Sequence, residues 1–284
     1  MKTQSPDTSP EAERVQIALP RQASGVRRLQ VAIELSQMVL EMAWRAIRRV
    51  SPQLSEREAR LRRIELTYGT AVAGALRSHS VGRECVSLPA NIRSGLLPVI
   101  ATFDKLAIPY YIDGSVASAH HGIPRSPLDV DVVAEVRPDQ GRPFIETLGP
   151  DYYVSEEAVR EAIRRRSSFN VIHQPTMIKV DIFIRGQRPY DAQAFSRARA
   201  ERDPTDQRDL PWVSSEDSIL SKLERYRMGG EVSERQWGDV LGVLKVQGPA
   251  LDLAHLRIWA ATLGVADLPA RALDDADLGE RQQP

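Results

Sequence analysis

The chain has 284 residues, 42% hydrophobic and 27% charged, which is ordinary for a globular protein and enough for one large or up to three small folding units. Lys plus Arg and Asp plus Glu both number 38, so the formal net charge is zero and bulk charge does not advertise a nucleic-acid binder. A single cysteine, Cys85, rules out an internal disulfide and reads as a structural thiol; no Cys/His set suits zinc, and no apolar run is long enough to span a bilayer.

The first stretch, MKTQSPDTSPEAER, is polar and lacks the apolar centre of a signal peptide, so a cytoplasmic protein without a membrane segment is expected. Residues 1–24 read as a disordered tail, with a short helix over 12–20 stopped by Pro20. Residues 26–50 carry a helical stripe of Leu29, Ala32, Ile33, Leu40, Ala43 and Ile47. Ser55 with Glu58 forms a capping box for a helix over 56–68, and 70–77 suits a third short helix. Together, residues 25–85 read as an N-terminal helical domain whose Arg-rich faces are solvated surface rather than a nucleic-acid site.

A helix over 91–107 precedes the strand YYID, which runs into Gly114-Ser115 and a helix to His121. The next strand, over 128–136, holds LDVDVV. Alternation sends Asp129 and Asp131 to one face and Leu128, Val130 and Val132 to the other. Alternation also points Asp113 away from that site, although strand ends bend, and a salt-bridge partner is its other reading. Two carboxylates aimed together at the end of a buried strand require a compensating charge, and for hard oxygen ligands the usual one is Mg²⁺. Helices follow over 139–148 and over 156–166, the second capped by Ser155. Strands over 168–173 and 177–184 come next; in IKVDIFI, Asp181 opposes Ile178, Val180, Ile182 and Ile184. Residues 186–211 read as loop plus a short helix. Three helices then run from Ser214 to Met228, from Ser233 (with Gln236, a capping box) to Gln247, and over 250–263.

G-S, a spacer, D-x-D and a later carboxylate strand resemble the nucleotidyltransferase superfamily, of DNA polymerase β-like fold. The minimal and abortive-infection toxin-type members look most similar, over residues 93–265. One departure is Asp113, where many relatives carry a second glycine. The resemblance implies an α+β fold, a palm-like mixed sheet with flanking helices over 91–205 and a C-terminal helical domain over 211–270, to which the residues themselves add the N-terminal helical domain and a polar, acidic and flexible tail over 271–284. It also implies a magnesium-dependent transferase of bacterial toxin–antitoxin or defence type, binding ATP or another NTP and modifying tRNA or protein. The N-terminal block resembles small helical proteins encoded beside such genes, and is expected to contact the catalytic domain.

Nucleotidyl transfer fits these residues. Asp129 and Asp131 suit metal ligands, and Asp181 a third ligand and general base, with two Mg²⁺ (or Mn²⁺) ions roughly 4 Å apart. Gly114 lets backbone approach phosphates, and Ser115 at a helix N-terminus suits their oxygens. Arg125 lies just before the D-x-D, within reach of phosphate or acceptor. Lys222, in SKLERYR, matches a lysine that the resemblance places on the triphosphate; a surface lysine is the alternative. Asp239, in QWGDV, matches a downstream aspartate of the same segment, and a helix-packing ion pair explains it equally well. His120 and His121 diverge by about 100° on a helix, which makes them poor joint ligands, and His173 is a structural or substrate-orienting histidine. For the D-x-D the alternative is a solvated strand edge. The rival function is a catalytically silent nucleotide-binding or partner-binding module.

Overall fold

The alternation in the two carboxylate segments produces the two central strands. The computed structural model describes residues 9–78, 92–127, 129–203 and 207–278. Cys85, Leu128 and the linker before residue 92 lie outside them. Strand β2 (Asp129–Ala134) buries Val130, Val132 and Ala134, and β5 (Ile178–Ile184) buries Ile178, Val180, Ile182 and Ile184, while the intervening residues stay half-exposed. The two strands pair in parallel. Strand β1 (Tyr110–Asp113) lies antiparallel on the other side of β2.

These strands are the centre of a seven-stranded mixed sheet, in the order β3-β4-β5-β2-β1-β7-β6, where β3 is Tyr152–Tyr153, β4 Ser168–His173, β6 Arg199–Arg202 and β7 Asp209–Trp212. The protein is thus α+β, a mixed sheet with flanking helices, as expected. The β6–β7 hairpin and two-residue β3 depart from expectation. RAER shows no apolar alternation, and β6 is an exposed edge strand whose side chains carry no burial pattern to read, while DLPW buries Leu210 and Trp212 alternately but over only four residues interrupted by Pro211. Only pairing with distant segments of the chain reveals the hairpin: β7 runs parallel to β1, Ile112 opposite Trp212, and antiparallel to β6.

Helix α5 (Ile92–Lys105) packs on the sheet so closely that a Cβ on Gly95 would come within 2.7 Å of Ile178 Cβ. Phe103 stacks on Tyr110 and on Phe144, the latter from α7 (Gly141–Leu148), each at 5.2 Å between ring centroids. The expected helix over 139–148 begins as a 3-10 turn at Pro138–Gln140. Ser155 caps α8 (Glu156–Arg165).

Among the described residues, α5 is preceded by α1 (Pro10–Gln22), α2 (Gly25–Val50), α3 (Glu56–Tyr68) and α4 (Thr70–Ser78). The Ser55–Glu58 capping box is present. Pro20 does not stop α1. It sits in the last turn and forgoes the bond its N–H would give the Gln16 carbonyl, yet the helix runs two residues further before the Ala23 N–H closes it on the Leu19 and Pro20 carbonyls. Leu29, Ile33 and Leu40 of α2 join the hydrophobic core that contains Ile100, Val130 and Val180. The block is also bonded on: Arg28 Nε donates to the His120 carbonyl at 2.6 Å, and Glu13 pairs with Lys245 at 2.6 Å, both side chains buried.

After α9 (Pro189–Arg197), α10 (Ser215–Met228), α11 (Glu234–Gln247) and α12 (Leu253–Thr262) form a second core around Leu220, Leu223, Val240, Leu244 and Leu256. Ser233 accepts from the Gln236 N–H; the reciprocal half of the expected box is not formed. A further helix, α13 (Leu268–Asp275), closes this core with Leu268 and Ala272. Among the described residues no helix is long and apolar enough to cross a membrane.

Candidate active site

Register decides which side chains meet. Asp131 faces Asp181 across the parallel pair, Asp129 faces Lys179, and Asp113 faces Asp131 across the antiparallel pair. Direct partners on adjacent strands share a face of the sheet. Asp113, Asp129, Asp131, Asp181 and Lys179 therefore stand on one face. The expectation that Asp113 points away is overturned: alternation within β1 says nothing about which face of β2 it matches, and pairing does.

The Gly114-Ser115 turn closes over this face. Gly114 begins α6 (Gly114–His121) at φ +69°. A Cβ there would lie 1.9 Å from Asp131 Oδ2, 2.5 Å from its Cγ and 2.7 Å from its Cβ. Only glycine satisfies both the positive φ and the contact. Ser115 is buried and its hydroxyl donates to the Asp129 carbonyl at 3.4 Å. Ala117 and Ala119 are fully buried, as close packing of this helix requires.

Two cations serve the four carboxylates. Lys179 Nζ is 2.5 Å from Asp181 Oδ2 and 3.9 Å from Asp129 Oδ2. Arg225, on α10, places Nη1 3.4 Å from Asp131 Oδ2 and Nη2 3.9 Å from Asp113 Oδ2, with its guanidinium 5.1 Å from the centre of the Phe183 ring. Tyr68, at the end of α3, brings its ring to 5.6 Å from Lys179 Nζ. Burial pushes the Asp131 carboxyl up to about 6 despite Arg225, with Asp129, Asp113 and Asp181 adding to the rise. Burial likewise raises Asp181, more than Lys179 lowers it.

Among the described residues no three His, Cys, Asp or Glu side chains converge as a ready ligand set. The carboxylates nonetheless fit a divalent cation in donor type, strand position and charge. Burial raises the pKa of Asp131 and of Asp181 more than Arg225 and Lys179 lower them, so further positive charge at these two carboxylates would be favourable. As they stand, Asp129, Asp131 and Asp181 direct oxygens at Lys179 and Arg225, and these three would hold a metal once those cations gave way.

Lys222 and Arg125 meet each other's partner rather than the carboxylate face. Lys222 Nζ is 2.7 Å from Asp239 Oδ2 and 3.3 Å from Gln236 Oε1; Arg125 Nη2 donates to the same Asp239 oxygen at 2.6 Å, and its Nε pairs with Oδ1. Lys222 and Arg225 are three residues apart on α10 and so lie on one side of that helix. His121 Nε2 bonds the Val213 carbonyl at 2.7 Å, and His120 stacks on Trp212 at 4.2 Å. His173 bonds Thr176 at 2.7 Å and stands level with Ile178; Asn170 is the β4 residue level with Asp181.

The sequence reading missed Lys179 and Arg225. Lys179 was within reach, since K-V-D places it on the face of Asp181. Arg225 lies 94 residues beyond Asp131 and had only its spacing from Lys222 as a signal.

No family model and no curated protein matches the chain. Among solved structures it is similar to an antigenic nucleotidyltransferase-like protein from Paracoccidioides brasiliensis. The identity is 14%, over 59% of this chain and 90% of that one, with a TM-score of 0.37. A likeness this loose leaves the functional reading to the site.

Proposed function

We propose that the chain is a metal-dependent nucleotidyltransferase that moves an NMP group from an NTP to an RNA or protein acceptor. The observation that carries this is the contact of Gly114 with Asp131: it puts a phosphate-compatible turn directly against a face bearing Asp129, Asp131 and Asp181. Asp129 and Asp131 would hold the metal, with Asp181 as third ligand. The chemistry that two bound Mg²⁺ or Mn²⁺ ions would supply there is charge stabilisation at the attacking and leaving oxygens. The backbone N–H groups of Gly114 and Ser115 and the Ser115 hydroxyl receive the phosphates at the start of α6. Asp181, whose pKa burial raises, accepts the proton of the attacking hydroxyl. Lys222 and Arg125, gathered by Asp239, supply positive charge for the triphosphate.

The toxin or defence setting implied by the resemblance is the reason to offer RNA and protein together as acceptors. A silent nucleotide-binding or partner-binding module is the second reading, favoured by Lys179 and Arg225 standing on the carboxylates. Pyrophosphate release separates them. The protein is incubated with each NTP, Mg²⁺ and total cellular RNA plus protein, beside the Asp129→Ala/Asp131→Ala variant. Release by the native protein and not by the variant supports the enzyme. NTP binding without release supports the module.

A further inference from the structure

Arg225 straddles two carboxylates of unequal standing. Asp131 is a ligand in the reading above, on which this inference rests. Asp113 is not, and its burial is more severe: 3% of the residue is exposed and its Oδ1 has no hydrogen-bond partner. A buried carboxylate oxygen without a partner is costly to keep and points to a second position for a donor. Arg225 is the adjacent donor, with Nη2 3.9 Å from the other oxygen of Asp113. The planar guanidinium fork is built to take both oxygens of one carboxylate. In the arrangement seen, the fork is split between Asp113 and Asp131 and satisfies neither fully.

We propose that Arg225 is a tethered counter-ion that yields the site to the metal, and that Asp113 is the positioning residue that receives it. Without metal, Arg225 neutralises Asp131. When a divalent cation takes Asp131, the guanidinium closes onto both oxygens of Asp113. The ring of Phe183, at 5.1 Å, seats the cation in the metal-free position. Linkage then fixes the signs. A competitor removed raises metal affinity, and a receiving carboxylate removed lowers it.

The test is Mn²⁺ affinity of the full chain, measured from the EPR signal of free Mn²⁺ without nucleotide. Arg225→Gln is expected to bind Mn²⁺ about tenfold tighter and Asp113→Asn several-fold weaker than the native protein. Asp113→Asn made in the Arg225→Gln background is expected to lose most of its effect. Phe183→Leu, which loosens the seat without altering charge or fold, is expected to tighten binding about two-fold and serves if Arg225→Gln does not fold. Unchanged or weaker binding in Arg225→Gln, or in Phe183→Leu, overturns the proposal. So does an equal Asp113→Asn effect in both backgrounds, which leaves Asp113 a simple negative charge. Failure of the site reading itself looks different: the native protein and Asp129→Asn/Asp131→Asn then bind Mn²⁺ alike.

Discussion

Lys222 and Asp239 form a closed ion pair between α10 and α11, Nζ to Oδ2 at 2.7 Å, with 3% and 4% of their side chains exposed. Arg125 shares the aspartate. Burial pushes the Asp239 carboxyl up, but the Arg125 hydrogen bond and the two charges outweigh it, and the net pKa is lowered. The pair is not symmetric in its consequences. Without Lys222, Asp239 retains Arg125; without Asp239, Lys222 is a buried cation left with the Gln236 hydrogen bond and with no carboxylate between it and Arg125. Asp239→Ala is therefore expected to destabilise by about 3–5 kcal/mol, and Lys222→Met by clearly less. Urea unfolding of the two variants checks the order. Since the Asp239 pKa is depressed, its contribution is complete above its unfolded value of 3.8 and is lost as pH falls through the lower folded value.

Gly114→Ala tests the turn. Rotating the Asp131 carboxyl does not make room, because a new Cβ also meets Cγ at 2.5 Å and Cβ at 2.7 Å. Positive φ adds its own penalty. A loss of about 2–4 kcal/mol is expected, together with loss of NTP binding measured by equilibrium dialysis. Native affinity in Gly114→Ala contradicts the placement of phosphates at this turn.

The carboxylate face should reveal itself through pH. Asp131, unfolded near 3.8, is pushed up to about 6 in the fold. A raised carboxyl contributes stability that is complete below pH 3.8 and is lost as pH rises through 6. Asp131→Asn removes that dependence. In chelator, the variant should melt together with the native protein near pH 4 and above it at pH 7.5, by at most about 3 kcal/mol. Parallel melting curves at all pH values would mean that Asp131 carries no penalty for its charge.

How much of this was legible beforehand depended on how locally each feature is encoded. β2 and β5 announce themselves because one face is buried, and the same alternation exposes Asp129, Asp131 and Asp181. Ser55, Ser155 and Ser214 mark helix starts through bonds to a backbone N–H three residues on. What local pattern does not hold is pairing. The face occupied by Asp113, the β6–β7 hairpin and the approach of Arg225 to Asp131 all depend on which distant segment lies alongside. The shared burden of Asp239 is of the same kind: Arg125 and Lys222 reach it from segments 114 and 17 positions away.

The N-terminal helices should melt with the sheet. Leu40 of α2 is buried in the core that also holds Val130 and Val180. Leu40→Ala is expected to cost about 2–3 kcal/mol and to move a single calorimetric transition to lower temperature. A second transition, with only the lower one shifted, would show that α1–α4 form a separate cooperative unit.

The central claim is transfer of a nucleotide by the face of Asp129, Asp131 and Asp181. Its most direct measurement uses α-labelled NTPs, one at a time, with Mg²⁺ and total cellular RNA plus protein, comparing the native chain with Asp181→Asn. The account predicts label covalently attached to one acceptor class with the native chain, and at least a hundredfold less with Asp181→Asn, on the order expected for loss of a general base. No label from any NTP, or equal label with both proteins, would contradict it.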